Sequence, residues 1–272
     1  PLTPSEILSH TKTWVQSFMS TLGICPYAVS SSSAGLPPGP VRYSLTPAAT
    51  PEECYRDFWH EVSSIEKAPD SDISTTLMIT PDFEVSSAER FEAFASTLTD
   101  SLTTLRMEPF MQLVFFHPLY AFRDGDSRLD DGDGAAANFA RRSPWPMVNV
   151  LRTEQVRRGQ RGIPTGLVYK QNARTLGGLG EGELRRMVVE RDWGGVEDVK
   201  VDRMDHDVLR KVEKKDDIHV GDMRTLMDSD MVKVIREGLE KRVRTGKPLS
   251  QTEAAVTLTA INLVLGEARK KE

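Results

Sequence analysis

Phe110-Met-Gln-Leu-Val-Phe-Phe116, with His117-Pro118 directly behind it, is the stretch on which the fold turns. An apolar run of this length, rich in aromatic and branched side chains and stopped by proline, reads as a buried strand. Upstream of it, Ser86 to Glu89 carries a helix-capping pattern, and Phe91, Phe94, Leu98, Leu102 and Leu105 then recur at helical spacing. Before that helix comes a second strand candidate, Thr75-Thr-Leu-Met-Ile-Thr80, ended by Pro81. Thr50-Pro51-Glu52-Glu53 opens another amphipathic helix on Tyr55, Phe58, Trp59, Val62 and Ile65, and Val41-Arg-Tyr-Ser-Leu45 reads as a short strand.

Strand, helix, strand, helix, strand is the order of an α/β fold. The expected architecture is a βαβαβ core with a small, mostly parallel sheet flanked by helices, because each crossover helix must pack back on the sheet. A first helix precedes this core. Thr3-Pro4-Ser5-Glu6 supplies its capping box, Ile7, Leu8, Thr11, Trp14, Val15, Phe18 and Leu22 its apolar stripe, and Gly23 its end.

Downstream, Ser143-Pro144 is expected to open a helix carrying Met147, Val148, Val150 and Leu151, and a further helical stretch covers about 165–190. Between them, 123–141 is a long Gly/Asp/Ala loop. Its acidic run lacks the sixth-position glycine and closing glutamate of an EF-hand, so no calcium site is expected. Gly177-Gly178-Leu179-Gly180 has no strand leading into it, and a helix–helix turn accounts for it. Past Glu190 the composition turns to Lys and Asp runs between helical apolar patterns. Two regions follow: an α/β domain over 1–190 and a charged, helical C-terminal extension over 191–272.

The 272 residues, 39% hydrophobic, can bury one sizeable core. Net charge is −5, which argues against general attraction to nucleic acid or acidic membrane. One stretch runs against that sign: Arg141, Arg142, Arg152, Arg157, Arg158 and Arg161 are opposed only by Glu154. A local basic patch on an acidic chain suits a small anion better than a polyanion, and a solvated helix face is the equal alternative. Cys25 and Cys54 form neither a disulfide framework nor a zinc spacing, so a reducing, cytoplasmic setting is expected, with no metal and no cofactor. A chain beginning at Pro1 is also compatible with a removed organelle-targeting peptide. The apolar run Ala254 to Leu265 is too short to span a bilayer.

The candidate site gathers at the end of the strand that opened this reading. Ligands collect at the carboxyl ends of strands in open α/β sheets, and anions at helix N-termini. His117 is placed there for proton transfer, or else it satisfies a backbone group and caps the sheet. Arg142 and Ser143, at the expected helix start, are suited to a carboxylate or phosphate, with Arg152 a further charge on the same helix. The bland counterpart is a serine that only caps and arginines that only meet solvent or a surface acid. Cys25 follows the first helix's C-terminal end, where the dipole disfavours a thiolate. Local sequence therefore favours a small buried hydrophobe there, and reactivity would need Arg142 or His117 beside it.

Several of these residues stand in an ordered set: Trp14, Leu22-Gly-Ile-Cys25-Pro26-Tyr27-Ala28, Val41-Arg42-Tyr43, Thr75-Thr76-Leu77, Gln112, Phe116-His117-Pro118-x-Tyr120-x-Phe122, Arg142-Ser143-Pro144-Trp145-Pro146, Leu151-Arg152 and Asn172-x-x-Thr175-Leu176-x-x-Leu179-Gly180. The set resembles the domain-of-unknown-function family fourteen-fifteen over roughly 10–190. The resemblance implies no activity, but it implies that Cys25, His117, Arg142, Ser143 and Arg152 occupy motif positions, with Tyr120 and Gln112 as further substrate-contacting candidates. Asn149 departs from the histidine of the bacterial pattern, which tells against a two-histidine mechanism.

Two functions compete. One is an enzyme acting on a small phosphate- or carboxylate-bearing metabolite, with His117 as general acid/base, Cys25 as nucleophile or redox group, and Arg142 at a helix N-terminus as the anion cradle. The other is a non-catalytic module that binds such an anion or a protein partner, with the C-terminal helices available for partner contact or self-association.

Overall fold

A computed structural model describes residues 2–121, 134–162, 165–196 and 199. The chain divides into two compact units, Pro1–Gly159 with Val168–Asp202, and Gln160–Leu167 with Arg203–Glu272. The architecture that follows is that of the first. The acidic run of the 123–141 loop and the C-terminal helices expected past 200 lie outside the described residues.

Helix α1, Pro4–Trp14, starts on a complete capping box: the Thr3 hydroxyl accepts from the Glu6 N–H, and the Glu6 carboxylate accepts from the Thr3 N–H at 2.7 Å. It continues as a π-helical turn, Val15–Thr21, and the chain reverses at Gly23, whose φ of 67° suits glycine. A short β1, Ser33–Ala34, precedes β2, Gly39–Leu45. Then come α2 (Pro51–Lys67, again with a full capping box), β3 (Thr75–Ile79), α3 (Ala88–Thr104, capped by Ser87) and β4 (Met111–Phe116). The βαβαβ order is therefore present.

The sheet is mixed rather than mostly parallel. Its strand order is β1-β2-β3-β5-β4, where β5 is Met147–Arg152. Strands β2 and β3 pair in parallel, whereas β5 lies antiparallel to both β3 and β4. Thus β2, β3 and β4 run the same way, as a βαβαβ core requires, but a late strand fills the gap between β3 and β4. That strand is the segment expected to be a helix behind Ser143-Pro144. Met147, Val148, Val150 and Leu151 fit either period over six residues, and the vacancy between two buried strands decides in favour of the extended form.

The sheet separates two cores. On one face Leu77, Ile79, Phe116 and Met147 pack with Trp14, Phe18 and Leu22, and with Leu176 and Leu184 from α6 (Thr165–Leu179) and α7 (Glu181–Glu190). On the other, Met78, Val148 and Val150 pack with Phe58, Val62 and Ile65 of α2 and with Phe91, Phe94 and Leu98 of α3. All five β3 residues are buried, as expected of a strand covered on both faces. Each large side chain withdrawn from water in this way contributes about 1.5–3 kcal/mol. Between α4 (Gly134–Ala137) and β5, a short 3₁₀ turn, Asn138–Arg141, leads to Arg142, and α5 (Thr153–Gly162) follows β5 directly. Helices α6 and α7 meet at Gly180, the helix–helix turn expected there.

Candidate functional site

Where β4 stops, the chain makes the turn Phe116–Tyr120 and is met by the 3₁₀ turn returning toward β5. The His117 N–H donates to the Arg141 carbonyl at 3.1 Å, and the Tyr120 N–H donates to the His117 carbonyl at 3.0 Å. The Arg142 Nε–H reaches the Tyr120 carbonyl at 3.0 Å. Backbone bonds thus bring His117, Tyr120, Arg141 and Arg142 together at the carboxyl end of β4.

Their side chains take different partners. The His117 ring is buried and tilted against Phe91, with centroids 5.4 Å apart. Its Nδ1 accepts the Leu119 N–H at 3.0 Å, so Nε2 carries the proton and donates it to the Glu84 carbonyl at 3.0 Å. Both nitrogens are spent on backbone, and the ring is a neutral bracket between the end of β4 and the loop after β3. Burial pushes its pKa below the ordinary value, against a smaller upward pull from Glu84. Glu84 itself sits at φ 51°, a strained conformation for a non-glycine residue that this bond helps hold.

The Arg142 guanidinium lies 4.2 Å over the Phe139 ring. Burial lowers its pKa, with Arg185 adding to that and Glu181 opposing it. Arg141 lies 5.7 Å from the Phe116 ring centroid, with a long contact of 3.4 Å to the Phe115 carbonyl. Among the described residues neither arginine has a carboxylate within ion-pair distance; Glu181 is paired with Arg185 at 2.5 Å.

It is Arg141, not Arg142 or His117, whose charge reaches Cys25. Burial pushes the Cys25 thiol up, while the nearby N–H groups of Tyr27 and Ala28 and the Arg141 charge pull it down less strongly. Alongside, the Asn172 amide of α6 donates to the Ile24 carbonyl at 3.0 Å, and its Oδ1 is buried without a partner. The sequence marks Arg141 only as one arginine of a run; its placement beside Cys25 depends on the 3₁₀ turn and has no local signature.

The remaining expected site residues lie elsewhere. Ser143 caps no helix: it is fully buried and its hydroxyl donates to the Trp145 carbonyl at 2.5 Å. The anion cradle expected at a helix N-terminus here is therefore absent, because a strand follows. Arg152 is not on a helix with Arg142 but at the far end of β5, opposite Met111. Phe116 pairs with Met147, so five residues, or about 17 Å of strand, separate Arg152 from the His117 end. The Arg152 guanidinium donates to the carbonyls of Ile65 (2.8 Å), Ala68 (2.6 Å) and Ile73 (2.9 and 3.1 Å), closing the C-terminal end of α2. Gln112, opposite Leu151, shares that remote end. Asn149 accepts the Thr75 hydroxyl at 2.6 Å on the central strands. The basic run is thus dispersed: Arg158 pairs with Glu154, and Arg157 is exposed. No group of three or more His, Cys, Asp or Glu among the described residues is arranged for a metal ion.

With this geometry established, the family comparison can be set beside it. A family model described as "Protein of unknown function (DUF1415)" matches residues 6–186. The chain belongs to that family. No curated protein and no solved structure matches it. For this DUF1415 chain the matched span covers the whole sheet and the β4 end, and stops within α7. No helix among the described residues is long and apolar enough to cross a membrane.

Proposed function

We propose that the chain binds a small phosphate- or carboxylate-bearing metabolite where β4 ends, held chiefly by Arg141 and Arg142. One observation carries this reading. Two consecutive guanidinium groups are half-buried against Phe116 and Phe139, with no carboxylate in ion-pair range among the described residues. A partly desolvated cation without a counter-charge is costly, and an anionic ligand offsets that cost. Tyr120, whose carbonyl holds Arg142, and His117, which fixes the turn, position these groups. Isothermal titration with inorganic phosphate, and mass spectrometry of small molecules released from the purified protein, test it. Arg141→Gln and Arg142→Gln are each expected to lower retention at least ten-fold. Retention unchanged in both folded variants would sink the reading.

A second reading, an enzyme acting on that anion, rests on Cys25 alone: the Arg141 charge and two backbone N–H groups pull its thiol pKa down, but burial outweighs them, so ligand binding would have to activate it. The two readings separate on Cys25→Ser. Loss of turnover with retained ligand supports chemistry at the thiol; a released metabolite left unchanged by the wild-type protein supports binding only. His117 enters either reading as a positioning residue, since proton transfer would first have to break one of its two backbone bonds.

A further inference from the structure

Helix α7 ends on Arg191, which takes the left-handed conformation, φ 53°, usually given to glycine. Its guanidinium carbon stacks 4.0 Å over the indole ring of Trp145. Stacking engages the flat face of each group and leaves their edge N–H donors unanswered. Arg191 Nε and Trp145 Nε1 are both buried, and among the described residues neither has a hydrogen-bond partner. Trp145 is 6% exposed, whereas Arg191 keeps part of its surface open.

The lack of a counter-ion is not for want of nearby acids. Glu190 and Asp192 flank Arg191 in the chain, yet both carboxylates turn to Arg186, at 2.7 and 3.3 Å. Glu183 joins them on Arg186 with two bonds of 2.7 and 3.0 Å. Three carboxylates therefore gather on Arg186, and Arg191, equally half-buried five residues on, has none within ion-pair range among the described residues. Burial alone pushes the Arg191 pKa down, with no nearby acid opposing it. Packing for stability would place an acid on the desolvated cation first.

We propose that Arg191 and Trp145 form an oxyanion subsite of their own, separate from the Arg141–Arg142 pair. A guanidinium edge fits two oxygens of a carboxylate or a phosphate, and an indole N–H beside it fits one. Both donors are closed to water in the stacked arrangement, so an oxyanion reaches them only when the Arg191 side chain moves off the indole. An oxyanion entering along the open side of Arg191, with a small side-chain shift, supplies the acceptor each lacks. A ligand with two anionic groups could engage this subsite and the other at once, but the subsite stands without that.

The test uses the full chain, labelled with nitrogen-15, and follows the four indole N–H resonances and the arginine Nε–H resonances. Trp145→Phe assigns the Trp145 indole signal and Arg191→Gln the Arg191 Nε signal. Sodium phosphate and sodium acetate are titrated separately at matched ionic strength. A saturable shift of both signals is expected with at least one anion, and in Arg191→Gln the affinity read from the remaining Trp145 indole signal should fall at least ten-fold. Arg191→Lys, which keeps the charge but not the fork, should lose most of it and serves as the probe if the Gln variant does not fold. Response to phosphate alone assigns a phosphate ester, and response to acetate alone assigns a carboxylate. Arg141→Gln should leave these shifts intact, so loss of the first site and loss of this one are distinguishable. No saturable shift with either anion, or equal shifts in the Arg191 variants, would mean that the guanidinium only packs on the indole, and the proposal falls.

Discussion

Arg152 and His117 illustrate how residue identity underdetermines role. Both are polar groups that the sequence marks as site candidates, and both are spent on backbone groups: Arg152 on carbonyls, His117 on one carbonyl and one N–H. Arg152 places four hydrogen bonds on Ile65, Ala68 and Ile73. Hydrogen bonds to a charged group contribute about 1.5–3 kcal/mol each, and several share one side chain here, so Arg152→Ala is expected to cost about 2–4 kcal/mol of stability. Urea denaturation measures it, with phosphate affinity unchanged; a loss of affinity at full stability would contradict the assignment. For His117 the sign follows from its lowered pKa. The unfolded chain takes up a proton near the ordinary 6.5, whereas the folded chain resists it. Stability is thus fully present above about 6.5 and falls as pH drops through the folded value. Thermal melts from pH 7 to 5 should show this loss in the wild type and a flatter profile in His117→Gln; parallel profiles would exclude it. The position of His117 at a strand end was legible in the sequence, but its role was not. The partners of the ring nitrogens come from the backbone of residues 84 and 119, and hydrogen bonds to main chain leave no trace in side-chain identity.

Among the elements, β5 was read from sequence as a helix, and the cause is physical. Ser143-Pro144 carries the residues of a helix start, but the Ser143 hydroxyl closes a local turn on Trp145, and six residues of mixed apolar pattern fit both periods. The capping boxes of α1 and α2 were legible because both partners lie within four residues of each other. The α6–α7 junction was legible for a similar reason, since one glycine carries it. Gly180 has φ 81° and ψ 145°, a region nearly closed to other residues, and a Cβ there would meet nothing within 4 Å. Any cost of Gly180→Ala is therefore backbone strain, about 1–3 kcal/mol. Gly182, two residues on inside α7, also has open space around a Cβ and no strained φ, so Gly182→Ala should instead stabilise by up to about 1 kcal/mol. Opposite signs in thermal melts of the two variants are the expected outcome. A neutral Gly180→Ala would show that the junction relaxes.

Across the molecule, carboxylates are shared unevenly among the arginines. Arg158, Arg185 and Arg186 hold carboxylates, while among the described residues the half-buried Arg141, Arg142 and Arg191 go without, although Arg158 and Arg186 are no more open than they are. On the reading proposed above, that distribution favours a small anion over a polyanion. Nucleic acid is held by many cations displayed on a surface, each releasing counter-ions from the phosphate backbone. Here the basic run of the sequence offers no such display: Arg152 is turned into α2, Arg158 is neutralised by Glu154, and the net charge is −5. Guanidinium groups recessed among aromatic rings admit a single compact oxyanion and are screened less than surface charges. Single-stranded RNA in a filter-binding assay at about 0.15 M ionic strength is therefore expected to show no saturable retention, while phosphate binding persists under the same conditions. Tight RNA binding that weakens steeply with salt, and that disappears on replacing Arg157 and Arg158 by Gln, would reverse this account. The exposed face of α5 would then be the working surface, and the arginines at the end of β4 would be ordinary packing.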